Sequence, residues 1–196
     1  MDLFEQVDAA RERWDVLRHP FYVRWEAGEL SLEELAFYAG EYRHAVVALA
    51  EAATASGDTE HAEEEAAHVD LWDDFARALD APLAREPLPS TAACADAWAP
   101  ADRLEALAVL YAVESSQPAI SATKLRGLVA HYGFSEDDPA ARYFALHAER
   151  DVEHARAARG AIEEAAPTDT SNLSAAAERA LEANWRLLDG VLAAAN

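Results

Sequence analysis

Between Asp138 and Ala166 the chain keeps an unbroken helical period, and inside it stand His147, Asp151 and His154. Side chains four and seven residues apart leave an α-helix on one face, so two imidazoles and a carboxylate point the same way. That stripe constrains the fold more than any other feature. A core-facing helix wants Leu, Ile or Phe at such positions. Three titratable groups are costly to bury unless something neutralises and organises them. A metal ion does both, provided the fold brings further ligands to the same face.

Helical period runs through nearly all the rest. A first helix is expected over residues 2–17, stopping near His19-Pro20 because a residue before proline avoids the αR region. A short helix follows to Gly28. Ser31-x-x-Glu34 is a capping box that opens a long helix to residue 56, where Ser56-Gly57-Asp58 turns the chain. Asp58 caps a helix to Asp80. Residues 81–99, with Pro82, Pro87 and Pro89, read as the one extended irregular connection. Pro100 stands in the first turn of a helix to Gln117, Pro118 kinks or breaks it, and a further helix reaches Gly133. Asp138-Pro139 starts the helix of the triad, and residues 171–195 form a last amphipathic helix. There is no strand-like alternation, repeat or low-complexity tract. The expected architecture is all-α: a single domain over residues 1–196, one bundle of seven or eight helices.

Sixteen basic against 37 acidic residues give a net charge of −21. Nucleic acid is thereby disfavoured as a partner, since phosphates demand a basic surface, and so is an anionic membrane. No run approaches 18 consecutive apolar residues, so no transmembrane helix is expected. The first 18 residues lack the apolar stretch of a signal peptide. With one cysteine, Cys94, an intramolecular disulfide is ruled out, and a cytoplasmic location is expected.

Helix bundles complete a metal site with carboxylates and histidines from facing helices. Glu65-x-x-His68 has the spacing used in carboxylate-bridged di-metal proteins, and Glu64 is nearly as well placed. His61, seven residues before His68, shares that face as a further ligand or an outer partner. Glu114 is a lone acid closing an otherwise apolar window from Leu104, and a buried carboxylate needs a partner. A Glu-rich run such as 63–65 is in part a solvated face. His19 is read as a capping or packing residue, and His44 and His131 as structural. Glu65, His68, Glu114, His147, Asp151 and His154 together make a mixed nitrogen and oxygen set. Two ions of iron or manganese suit that set better than zinc.

His19-Pro20-Phe21-Tyr22-x-x-Trp25-x-x-Gly28-Glu29-Leu30-Ser31, followed by Tyr38-Ala39-Gly40-x-Tyr42, resembles the opening of the TenA/PqqC-like family, whose fold is haem-oxygenase-like. His68-x-x-Leu71-Trp72-x-x-Phe75, Tyr111-x-x-Glu114-x-x-x-Pro118, Lys124-x-x-Gly127-x-x-x-His131-Tyr132-Gly133 and the triad extend the likeness along nearly the whole chain. The ligand pattern is similar to that of the haem-oxygenase-like di-metal oxidases, and most of all to the CADD-like para-aminobenzoate synthases of folate-precursor formation.

The resemblance implies a di-iron or iron–manganese cofactor, O2 as co-substrate and an external reductant. It also implies a substrate drawn from the protein itself: Tyr22 as the source of the ring and Lys124 of the amino group, with Tyr38 and Tyr143 as neighbouring aromatic positions. Lys124 is the only lysine in the chain, and arginine cannot readily be deprotonated to a nucleophilic amine. Two positions depart from the pattern. His61 stands where the relatives' first acid usually precedes its histidine by seven residues, and Val113 stands where a tyrosine often precedes the ligand Glu. Three other readings follow from the superfamily: a metal-free TenA-like thiamine-salvage hydrolase, a cofactorless PqqC-like oxidase, and a non-catalytic regulator. The hydrolase needs a nucleophilic cysteine, and Cys94 lies in the Pro-rich connection without an evident base. An external small molecule is the alternative substrate. Bundles of this kind commonly pair through a helical face, which leaves a homodimer open.

Overall fold

A computed structural model describes residues 1–194 and contains, among them, nine α-helices, two 3-10 turns and no strand. The helices are α1 (Leu3–Arg13), α2 (Pro20–Ala27), α3 (Leu32–Ser56), α4 (Thr59–Ala78), α5 (Pro89–Trp98), α6 (Arg103–Glu114), α7 (Gln117–His131), α8 (Arg142–Ala165) and α9 (Ser171–Ala194). The last residue of the expected 171–195 helix lies outside the described residues. Among the described residues, no helix is long and apolar enough to cross a membrane.

Most boundaries follow from capping. Ser31 and Glu34 form the expected reciprocal box, and Asp58 accepts from the His61 backbone N–H at the start of α4. Gly57 ends α3 at φ +82°, a conformation that side chains with a Cβ rarely adopt. His19 is a cap as expected: its Nδ1 accepts from Phe21 N while its Nε2 meets Asp189.

Three expectations fail locally. The segment 81–99 is not irregular throughout, because Pro89 begins α5 at the position where its missing N–H costs nothing. Thr91, Cys94 and Trp98 then bury one side of that helix. Pro100 precedes α6, whose N-cap is Asp102. The first helix stops at Arg13, and a 3-10 turn at Val16–Arg18 leads into α2. The break at Pro118 is real: α6 ends at Glu114 and α7 starts at Gln117.

At the centre lies α6, buried on all sides from Ala106 to Glu114 and packed on α3, α8 and α9. Around it, α3 pairs with α4, α7 with α8, and α5 with α9. Three fully buried tryptophans tie these layers together, each donating its indole N–H to another helix: Trp25 to Lys124 O, Trp72 to Ala39 O and Trp98 to Ala180 O. A buried indole covers roughly 150–250 Å2, worth on the order of 4–6 kcal/mol at about 25 cal/mol per Å2. The satisfied N–H removes the desolvation penalty that would oppose it.

Candidate active site

Two helices carry the same spacing toward each other. His147, Asp151 and His154 are buried on α8, and His61, Glu65 and His68 are buried on α4 at the same intervals. The rings pair crosswise, His61 over His154 at 4.2 Å between centroids and His68 against His147 at 4.6 Å. The two stripes therefore face one another in antiparallel register. Glu114 enters from the end of α6, fully enclosed, with its Oε1 2.9 Å from His61 Nε2.

Ligand atoms of His61, Glu65, Glu114 and His154 lie within 4.8 Å of one another, and those of Glu65, His68 and His147 form a second such group. Glu65 belongs to both. Its Oε1 is 2.8 Å from His68 Nδ1, 3.8 Å from His61 Nε2 and 3.9 Å from His154 Nδ1. Asp151 adjoins the first group, its Oδ1 3.9 Å from His154 Nδ1. All six expected metal positions are thus brought together, and His61 joins them. The acids at 63–65 sort by exposure: Glu63 faces solvent, Glu64 is half-buried and Glu65 is inside.

Several polar atoms converge here without hydrogen-bond partners: His61 Nε2, both oxygens of Glu114, both of Asp151, His147 Nε2 and His154 Nδ1. His61 Nε2 and Glu114 Oε1 are close, yet they are not aligned for a hydrogen bond. Buried polar atoms are normally satisfied, so such a concentration calls for a cation. The donor chemistry fits two ions of the iron or manganese type, with imidazoles and carboxylates and no thiolate.

Electrostatics agree. Burial pushes the Asp151 carboxyl up to about 10, helped by the negative charges of Glu114 and Glu65. Burial, with Glu65 nearby, also pushes Glu114 well above the carboxylate range. Burial holds His147 down at about 4 and lowers His154, where His61 adds to the effect. Glu65 is also penalised by burial, but the hydrogen bond from His68 and the surrounding histidines bring it below its ordinary value. The ligand atoms are oriented from behind. The Tyr143 carbonyl, 2.7 Å from His147 Nδ1, fixes the tautomer that leaves Nε2 free. Glu64 does the same for His154 by accepting from Nε2 at 2.9 Å, and Arg150 holds Glu64 at 2.6 Å.

Beside this cage lies a box built by α2, α3, α4, α7 and α8. Lys124 Nζ has six aromatic rings within 6 Å, the nearest being Tyr22 and Tyr42 at 4.7 Å to their centroids. Nζ donates to Tyr38 Oη at 2.8 Å, and Tyr38 Oη is 2.8 Å from Tyr22 Oη. Aromatic faces favour an ammonium, but burial dominates and lowers the Lys124 pKa far below that of a free lysine. Gly127, one turn on, lets Trp25 close the wall: a Cβ there would meet Trp25 Cδ1 at 2.6 Å. Trp72 and Tyr143 stand between box and cage, with centroids 4.9 Å apart, and Tyr143 stacks on His147 at 4.0 Å. The expected Tyr22, Lys124, Tyr38 and Tyr143 are therefore assembled around one another and next to the ligand cluster.

Cys94, on α5, is within electrostatic reach of Tyr42 and Tyr22, but it is sealed and burial holds its thiol protonated, so it offers no nucleophile. His44 binds the Arg85 carbonyl, and His131 lies over Gly28, both structural as expected. The sequence left open which acid of 63–65 is the ligand and what His61 does; the structure turns Glu65 inward and sets His61 beside it. The signal for His61 was present, since His61-x3-Glu65-x2-His68 repeats the pattern of the triad.

Comparison with known proteins gives a consistent picture. A family profile described as "Iron-containing redox enzyme" matches residues 33–186. The 4-aminobenzoate synthase of Chlamydia muridarum is 33% identical, covering 98% of this chain and 91% of the relative. That of Nitrosomonas europaea is also 33% identical, covering 95% and 89%. Among solved structures, a domain with a haem oxygenase-like fold from Shewanella denitrificans superposes with a TM-score of 0.79 at 20% identity, covering 100% of this chain and 94% of that one. A TenA homologue from Pseudomonas syringae pv. tomato gives 0.78 at 18%, covering 97% and 91%. These two structures speak to the fold, which is haem-oxygenase-like and TenA-like.

Proposed function

The chain belongs to the haem-oxygenase-like family of iron-containing redox enzymes, and we propose that it is an O2-activating non-haem di-metal oxidase that forms 4-aminobenzoate from its own side chains. Glu65, His68, Glu114, His147, Asp151 and His154 would hold two ions, iron with iron or iron with manganese. When bound, the ions supply activation of O2 and oxidation of a nearby aromatic group, with electrons from an external reductant.

The observation that carries this reading is the placement of Lys124 against Tyr22 and Tyr38. The only lysine sits in a buried aromatic box, its Nζ 4.7 Å from the Tyr22 ring, where burial lowers its pKa well below that of a free lysine and so favours the uncharged amine. A neutral amine has the lone pair that attack on an oxidised ring requires. Tyr38 links Nζ to the Tyr22 hydroxyl and gives the proton of either group a place to go. Trp72 and Tyr143 exclude water between that ring and His147. The names of the relatives support the product, and the metal cluster supports the oxidant.

Whole-protein mass spectrometry after treatment with iron(II), a reductant and O2 tests the proposal. Mass should be lost at Tyr22 or Lys124, with no more than about one product per chain. Tyr22→Phe and Lys124→Arg should each abolish product. An unaltered chain that turns over repeatedly would assign the chemistry to an external small molecule. Pairing of two chains through a helical face belongs to the same reading, and sedimentation would show it.

A further inference from the structure

We infer that the metal centre of this chain is built from two matched His-acid-His halves, so that His61 is a metal ligand and Glu65 is the carboxylate common to both metal positions. The inference rests on the two-metal reading and extends it to a set of four histidines and three carboxylates.

Three observations carry it. The first is the repeat: His61, Glu65 and His68 on α4 face His154, Asp151 and His147 on α8, ring to ring. The second is the state of His61. Its Nε2 is buried without a hydrogen-bond partner and lies in one group with Glu65, Glu114 and His154. A histidine serving only to neutralise Glu114 would donate to it. At 2.9 Å the two atoms instead aim past each other, as ligands of a common ion do. The third is the place of Glu65, the one residue in both ligand groups. With His61 included, each position receives two imidazoles: His61 and His154 at one, His68 and His147 at the other.

Charge gives the arrangement its logic. Four neutral imidazoles contribute none, so Glu65, Glu114 and Asp151 supply all the negative charge facing two divalent ions. His61 and Glu65 are one turn apart on the same face, so an acid at 61 could do what Glu65 does from 65.

Metal content decides the matter without reference to activity. Metal-free protein would be loaded anaerobically with cobalt(II), then analysed for cobalt per chain and for its visible absorption bands, with circular dichroism to verify the fold. Wild type should bind close to two ions. His61→Gln, which keeps an N–H for Glu114, should lose one ion or weaken it at least tenfold and change the absorption. His61→Ala should do the same. Glu65→Ala should bind at most one ion, and His61→Glu combined with Glu65→Ala should return toward two. Two ions and an unchanged spectrum in His61→Gln would overturn the inference, leaving His61 as a hydrogen-bond partner only. His147→Ala separates this from failure of the broader reading: if it too keeps two ions, the two-metal centre itself falls.

Discussion

The cage and the box are adjacent, equally dry, and opposite in chemical character. In the cage, carboxylate oxygens and bare imidazole nitrogens outnumber their donors, and several atoms have no partner at all. In the box, the single amine is satisfied by Tyr38 and surrounded by rings, although the Tyr42 hydroxyl lacks a hydrogen-bond partner. A bundle interior can therefore tolerate titratable groups in two ways. One leaves carboxyl and imidazole atoms without partners, ready to give up protons for a cation that must arrive from outside. The other disfavours the charge by burial and holds the amine in place among the rings. The same low dielectric does both, since it penalises whichever charged form lacks a partner.

The sharpest way to break the contrast is to remove a cage ligand. His147→Ala or Asp151→Ala should lower metal affinity beyond the roughly 10–100-fold cost of losing an outer partner, measured as metals retained per purified chain. The fold should survive, because deleting an orphaned group relieves a penalty. Glu64→Gln asks whether support from behind matters. It leaves every ligand in place but loosens the His154 tautomer, and about a 10–100-fold loss of affinity is expected. Its measurement is the same metal titration, with Glu63→Gln as the silent neighbour.

On the box side, Lys124→Met should stabilise the protein by about 1–3 kcal/mol while ending product formation, because a buried amine is exchanged for a thioether of similar length. Gly127→Ala should act in the other direction, costing about 1–3 kcal/mol as Trp25 is forced outward. Urea denaturation measures both.

A pH series separates the two regions by sign. In metal-free protein Asp151 keeps its proton to about 10, whereas an unfolded chain releases it near about 4. The folded state then binds the extra proton, so this contribution to stability falls as pH rises through that window. Lys124 does the reverse. The unfolded chain holds its proton to about 10.4, the buried amine gives it up well below that, and stability rises with pH between the two. Thermal melts from acid to mildly alkaline pH should lose part of the falling slope in Asp151→Asn and part of the rising slope in Lys124→Met. Equal slopes in the two variants would erase the distinction.

How much of this was legible depended on whether a residue's oddness was local. The triad and Glu114 stood out because each is polar within an apolar helical stripe, and the structure buries them together. Glu65 could be narrowed to a run of three acids, but choosing it required knowing which face of α4 meets α8. His61 was visible as a position and not as a role, since its partners come from α6 and α8. Lys124 was conspicuous only by its rarity. The box that makes it unusual is assembled from five helices, and no spacing in the chain announces it. The misread segment 81–99 failed for a simpler reason: three prolines suggested a loop, although the third is a good first residue for a helix.

The burial of the only lysine has a use beyond catalysis. Since no other side chain carries an amine, the rest of the protein is silent to an amine-acylating reagent apart from its amino terminus. Acylation at Lys124 can occur only in molecules whose interior has opened. Its rate relative to that of a free amine is then a clock for the breathing of this one region, and gives the free energy of opening directly.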